Sequence, residues 1–188
     1  KPIIFDADNG GRIEHLPYII KTLERVGVSA IVIEDKIGLK KNSLFKNQTG
    51  VKQDSVENFC LKLKKAKESK ISDDLFIVAR IESFILGKGL GDAMRRAEAY
   101  SRAGADAILI HSKEKNANQI FSFSKNFLRS KFFKPLIAVP STYSRTYEHE
   151  LIDNGFKVVI YANHFLRAIY PAIVDVATKI LKNQRSFE

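Results

Sequence analysis

The chain has 188 residues, 45% of them hydrophobic, enough for one domain with a real core, and it shows no run near the ~18 apolar residues of a membrane span and no charged-then-apolar signal segment. Cys60 is the single cysteine, so no disulfide can form within the chain and a reducing, cytoplasmic setting is expected. The 31 Lys and Arg against 21 Asp and Glu invite a nucleic-acid reading, but the basic residues are scattered over helix faces, as in LKLKKAKESK at 61–70, without a recognition helix, RNP motif or aromatic-interleaved stripe; a solvated cationic surface that draws in a small anionic substrate is preferred.

Residues 1–8 form a short apolar strand ending in Asp6-Ala7-Asp8, and Asn9-Gly10-Gly11 is a turn. Leu16, Ile19, Ile20, Leu23 and Val26 recur at i, i+3, i+4, i+7 spacing and predict a helix over 14–26, with Pro17 in its first turn and Gly27 just past its end. A strand at 30–33 delivers Glu34 and Asp35. Residues 36–53 read as one long connection, beyond the ~12–15 residues at which such a segment is usually functional or disordered. Asp54-x-x-Glu57 resembles a capping box that opens a helix turning Val56, Phe59, Cys60 and Leu63 inward. Then come a strand at 75–81, a glycine-rich turn at 86–91, a helix at 92–102 stopped by Gly104, and a strand at 107–110 ending in His111-Ser112. A helix at 117–128, a strand at 136–139, a short helix at 148–154 and a strand at 158–161 ending in Asn163-His164 precede a final helix at 165–181, bent at Pro171.

Six strands thus alternate with six helices, and most strands are continuous apolar runs, as in a parallel sheet covered on both faces. One unit recurs: Gly27-x-x-Ala-Ile-Val-Ile is echoed by Gly104-x-x-Ala-Ile-Leu-Ile and Gly155-x-x-Val-Val-Ile-Tyr. A doubly wound sheet would gather ligands at one switch point, whereas a (β/α)8 barrel converges groups from the carboxyl ends of all its strands. Here nearly every strand ends in polar residues, which favours the barrel. Six units are fewer than eight, so about two βα units are expected upstream of Lys1, in a single barrel domain.

Asp6 and Asp8, two apart in an extended strand, would face the same way and with Glu34 make an all-oxygen site suited to magnesium, against the plainer reading of an Asx-turn. Arg80 inside an apolar strand is costly unless it is neutralised by Glu82 or presents its fork to an anion, and the pair alone leaves both open. His111 by itself reads as a core histidine. Lys36, Lys40, Lys41, Asn42 and Ser43, with Gly38 and Gly50 as hinges, suit a gating lid or a mobile basic loop. Gly87-Lys88-Gly89 reads as a turn, and Cys60 on a buried helix face is rejected as a nucleophile.

Taken in order, Asp6-Ala-Asp8, Glu34-Asp35-Lys36 with Lys40-x-Asn42-Ser43-Leu44, Val78-Ala-Arg80-Ile-Glu82, His111-Ser112-Lys113 and Tyr161-Ala-Asn163-His164 resemble the phosphoenolpyruvate phosphomutase branch of the phosphoenolpyruvate mutase/isocitrate lyase superfamily. The resemblance implies a magnesium-dependent (β/α)8 barrel that interconverts phosphoenolpyruvate and phosphonopyruvate, the step that forms the carbon–phosphorus bond of phosphonates. It implies Asp6 as a direct Mg2+ ligand, Asp8 and Glu34 holding its waters, Arg80 and His111 on the phosphoryl group or substrate carboxylate, and Lys40, Asn42 and Ser43 on a gating loop with Asn42 touching the phosphoryl group. It also implies a homo-oligomer, tetramer or dimer, in which the helix at 165–181 packs on a neighbouring subunit. The Asn-Gly-Gly after Asp8 departs from the Thr-Gly-Tyr-Gly of some members. Phosphonopyruvate hydrolase is the nearest alternative; carbon–carbon lyases of the superfamily carry a loop cysteine that this chain lacks. A non-catalytic interaction module or a basic nucleic-acid-binding domain is the alternative of another class.

Overall fold

The computed structural model describes residues 1–38 and 52–186. In chain order the elements are β1 (Ile4–Asp6), α1 (Leu16–Arg25), β2 (Ala30–Glu34), β3 (Lys36–Ile37), β4 (Lys52–Gln53), α2 (Val56–Glu68), β5 (Phe76–Ile81) and α3 (Gly89–Arg102). They continue with β6 (Ala107–Ile110), α4 (Asn118–Phe127), β7 (Leu136–Ala138), α5 (Glu148–Asp153), β8 (Phe156–Val159) and α6 (His164–Asn183). Strands β1-β2-β5-β6-β7-β8 lie side by side in that order, every neighbouring pair parallel, and curl into part of a (β/α)8 barrel.

Strand parity decides which residues can reach a ligand. Successive side chains leave a strand on opposite faces. Ile31 and Ile33, Ile77, Ala79 and Ile81, Ile108 and Ile110 join Phe59, Leu63, Phe123 and Phe127 of the helices in the outer core. Full burial of each such Leu, Ile or Phe stabilises by roughly 1.5–3 kcal/mol. The alternate residues Ala30, Val32, Val78, Ala107, Leu109 and Ile137 form a smaller cluster on the concave face. One step further along the same parity lie Glu34, Arg80, Glu82 and His111, at the carboxyl ends of three adjacent staves.

The helix boundaries follow the apolar spacing with local differences. Helix α2 is capped by Ser55, whose hydroxyl accepts from Asn58 N–H at 3.0 Å; the expected Asp54 cap is instead a buried residue whose carboxylate accepts from Ser55 N–H at 2.9 Å. Val26 lies beyond α1 and is 68% exposed, so the apolar stripe ends sooner than its spacing suggested. The connection at 36–53 carries two short strands, β3 and β4, paired antiparallel through Lys36–Gln53 and Ile37–Lys52. Two-residue strands leave no periodicity to read. Gly155 has φ +83°, a conformation that favours glycine, and a Cβ there would press on the end of the Leu128 side chain at 3.0 Å. The third copy of the recurring unit differs in register: β8 begins at Phe156, directly after Gly155, beside an irregularity between Leu136 and Ile137.

Glu24 of α1 ties the segment before β5 in place, its carboxylate accepting from Ile71 N–H at 2.6 Å and from Ser72 N–H and Oγ at 2.7 Å. Its slight burial opposes ionisation, but these donors outweigh it and hold the carboxyl below the usual range. The stabilisation is therefore present above about pH 4.5 and is lost as pH falls through the folded-state value. Glu24→Gln is expected to lower stability by about 1 kcal/mol at neutral pH, with the difference from wild type shrinking on acidification, as measured by urea unfolding.

Candidate active site

Charged or polar side chains mark the carboxyl ends of three neighbouring strands: Glu34 ends β2, Arg80 is the last residue but one of β5, and His111 follows β6. Arg80, on β5, is the centre. Its Nε donates to Glu82 Oε1 at 2.7 Å, and its Nη2 stands 3.0 Å from His111 Nδ1 and 3.5 Å from Glu34 Oε2. Lys36 reaches Glu34 at 3.1 Å and Glu82 at 3.6 Å. His111 Nδ1 is also 3.2 Å from Glu82 Oε1, so a neutral ring with one proton can satisfy either Glu82 or Arg80 through this atom but not both. Of the two readings left open by the Arg80–Glu82 spacing, the structure shows the internal one: Glu82 neutralises Arg80, whose Nη2 also reaches Glu34 and His111.

Glu82 is fully buried and Arg80 retains 16% side-chain exposure, on the concave side. There it lines a cavity of about 440 Å³ with Ile4, Asp6, Val32, Leu109 and Val139, a size suited to a small ligand. Burial opposes charge on Arg80, but Glu82 and Glu34 outweigh it and push the guanidinium pKa up. Burial pushes the Glu34 carboxyl up, with Arg80 pulling the other way. His111 is 5% exposed, and burial pushes its imidazolium pKa down. Burial thus favours the neutral ring.

Asp6 ends β1 and faces the same cavity. Asp8 is not in the strand: it has φ 54°, past the strand end, and its N–H donates to Asp6 Oδ1 at 3.0 Å in an Asx-type turn. The expectation that the two carboxylates share a strand face therefore fails, because β1 stops at Asp6. The Asp8 carbonyl accepts from Glu34 N–H at 2.7 Å, which joins the ends of β1 and β2 and brings their acids to one rim. No group of three or more His, Cys, Asp or Glu at metal-holding distances occurs among the described residues. Lys40, Asn42 and Ser43 lie outside the described residues. Cys60 is half-buried against the outer core, and burial pushes its thiol up. Gly87, in the turn that leads into α3, and Gly89, its first residue, have φ 71° and 77°.

Three polar residues escaped the sequence reading. Gln53 donates to Asp35 at 2.8 Å; Arg96 and Tyr100 of α3 do so at 3.1 and 2.8 Å. Arg96 was hidden by composition, since arginine on a charged helix reads as solvent-facing. Its position could have exposed it: it falls between Ala93, Ala97 and Tyr100, on the helix's buried stripe.

The family model for phosphoenolpyruvate phosphomutase matches residues 1–181. This chain belongs to the phosphoenolpyruvate phosphomutase family. It is 37% identical over 184 residues to the phosphoenolpyruvate phosphomutase of Tetrahymena pyriformis, covering 97% of this chain and 60% of that protein. The structure of the phosphoenolpyruvate phosphomutase from Streptomyces platensis subsp. rosaceus superposes with a TM-score of 0.88 at 36% identity, covering 98% of this chain and 63% of that one. A phosphonopyruvate hydrolase in complex with oxalate and Mg++ superposes with a TM-score of 0.82 at 34% identity, over 97% and 62% of the two chains. The chain thus spans about three fifths of the length of these relatives.

Within this family member, the downward shift of His111 has a pH consequence. Its folded-state pKa lies below the unfolded value of about 6.5, so the unfolded chain binds the extra proton first. Its contribution to stability is present above about pH 6.5 and falls as pH drops below it. Histidine-selective NMR should show the His111 ring titrating below the usual range, and His111→Gln should flatten the loss of stability between about pH 6.5 and the folded-state value.

Proposed function

We propose that the protein interconverts phosphoenolpyruvate and phosphonopyruvate by moving a phosphoryl group between oxygen and carbon, with magnesium, as the carbon–phosphorus bond-forming step of phosphonate biosynthesis. The observation that carries this reading is the convergence of Asp6, Glu34, Arg80 and His111 on one rim, at the carboxyl ends of neighbouring staves. A phosphoryl group in a loose transition state needs positioning and charge stabilisation more than a nucleophile, and the described site offers no activated nucleophile. Arg80 and His111 bind the migrating group or the substrate carboxylate. Glu82, contacting Arg80 Nε and His111 Nδ1 together, fixes the geometry of both before substrate arrives.

The donor set fits magnesium of one kind. With no three-acid cluster among the described residues, the ion would be held by one or two carboxylates and its own waters, as magnesium prefers. Asp6 is the direct ligand in this reading, with Glu34 and Asp8 reaching water; Glu34 is already engaged by Lys36 and Arg80. Bound there, Mg2+ would supply positive charge for the enolate oxygen and phosphoryl group, which the site lacks because Lys36 and Arg80 are balanced by Glu34 and Glu82. Lys40, Asn42 and Ser43 are assigned to covering the bound substrate, so that the phosphoryl group meets carbon and not water.

Phosphonopyruvate hydrolysis is the second reading, favoured by the TM-score of 0.82 to a hydrolase of nearly equal identity to that of the mutase. Phosphorus NMR of the full-length protein with phosphonopyruvate and Mg2+ separates the two. Phosphoenolpyruvate is the expected product; phosphate and pyruvate would select the hydrolase. Asp6→Asn should lower kcat/KM at least 100-fold, and Asn42→Ala should slow turnover or divert it to phosphate; normal turnover by Asn42→Ala would remove the covering role. Absence of both turnover and Mg2+-dependent ligand binding would leave an interaction module, and tight salt-sensitive nucleic-acid binding would revive the basic-surface alternative.

The cytoplasm is the proposed setting. No described helix is long and apolar enough to cross a membrane. Helix α6 has no buried residue, and Phe165, Leu166, Ile169, Tyr170 and Ile173 are each more than half exposed. Such a face calls for a cover, and a neighbouring subunit of a homo-oligomer, a tetramer or dimer, supplies it in this proposal. Sedimentation of the full-length protein should show the oligomer, and Phe165→Asp/Ile169→Asp should dissociate it; a monomeric wild type would refute the assignment.

A further inference from the structure

We propose that Asp35, gripped from behind the sheet by Arg96 and Tyr100, is the positioning residue for Arg80 and His111, acting through the main chain of Glu82; its kinetic consequence rests on the function proposed above. Glu34 and Asp35 leave the chain on opposite faces of the sheet. Glu34 joins the concave rim, whereas Asp35 turns to the helix side and is fully buried. Asp35 Oδ1 accepts from the Glu82 N–H at 3.0 Å. Its Oδ2 accepts from Arg96 Nη1 at 3.1 Å, the Tyr100 hydroxyl at 2.8 Å and Gln53 Nε2 at 2.8 Å.

Arg96, 3% exposed, spreads the grip. Its Nη1 also donates to the Asp54 carbonyl at 2.9 Å, and its Nε to Asp92 Oδ2 at 2.9 Å. Asp92 Oδ2 in turn accepts from Ser83 Oγ at 2.8 Å. Residues 82 and 83 are thus held from the helix side at two points. From the concave side the Glu82 carboxylate holds Arg80 and meets His111 and Lys36. Glu82 is bonded to both clusters, its N–H to the outer and its carboxylate to the inner.

The outer cluster is placed where apolar packing would serve stability as well. Tyr100 packs on Phe59 at 4.6 Å between ring centres, and both belong to the outer apolar core with Ile33, Ile81 and Leu63. Replacing a buried ion pair by well-packed apolar residues is often neutral or stabilising. What an apolar core cannot do is present a fixed acceptor to a peptide N–H. Asp35 does so with its other lone pairs already committed, so the acceptor is rigid, and a misplacement of about 1 Å at a reacting group can cost ~100-fold in rate.

The test uses Tyr100→Phe and Asp35→Asn in the full-length protein, with Glu24→Gln as a remote destabilising control. The readouts are the ¹⁵N resonances of the His111 ring, assigned with His111→Gln, and turnover of phosphonopyruvate. Both cluster variants should shift the His111 resonances and lower kcat about tenfold with KM within about twofold, while Glu24→Gln changes neither. Asp35→Asn is the variant more prone to misfolding; Tyr100→Phe removes one hydroxyl and carries the test alone if needed. Unmoved His111 resonances in folded Tyr100→Phe, an equal shift in Glu24→Gln, or shifted resonances with unaltered kcat each overturn the proposal. If the wild type does not turn over phosphonopyruvate, the function proposed above fails by itself, and the resonances then decide the positioning role alone.

Discussion

The buried carboxylate of Glu82 is the interaction on which the site depends. It accepts from Arg80 at 2.7 Å, lies 3.2 Å from His111 and 3.6 Å from Lys36, and is excluded from water. An isolated charge there would be prohibitive, as would an isolated guanidinium in an apolar strand. Together with Glu34 the four charged groups compensate one another. The balance explains how a parallel sheet of Val, Ile, Leu and Ala tolerates such a density of charge at one end, and why the charges stop at the strand ends, where the concave face opens.

That compensation shapes the chemistry. Two cations balanced by two carboxylates leave little net field for the phosphoryl group of the proposed reaction, and that proposal therefore has the described site orient more than attract. In that proposal attraction falls to the general cationic surface of the chain, net +10, and to whatever positive charge accompanies the substrate. In the proposed reaction orientation falls to Arg80 and His111, both in contact with Glu82, which is itself held. The described geometry therefore suits a reaction limited by keeping a reactive group on course.

The two faces of the sheet divide the labour. The outer face buries the larger apolar cluster against α1 to α5 and carries most of the stability. The concave face has a thin apolar lining and a polar rim. Strands β1 and β8 end the sheet among the described residues, and Ile3, Ile4 and Phe5 at the β1 side are 51, 41 and 42% exposed. Helix α6 differs from the others in having no apolar stripe buried against the sheet, which sets its apolar residues apart from the rest of the core.

Much of this was legible in the sequence, for a reason rooted in local physics. Helix α1 and the strands at 30–34 and 107–110 announce themselves because periodicity and glycine stops act within a few residues. The polar strand ends at Glu34, Arg80 and His111 were visible for the same reason, and the resemblance of their order to a known family named the chemistry to expect. Residues without local signal were not: the two-residue strands β3 and β4, the left-handed turn that takes Asp8 off the strand, and Arg96 with Tyr100, whose partner Asp35 is 61 and 65 residues away. Sequence by itself determined the alternation of strand and helix and the side-chain types at the barrel rim. Which carboxylate meets which cation, and that Asp35 and Glu34 serve opposite faces, only the tertiary structure decided, because long-range hydrogen bonds leave no periodic trace.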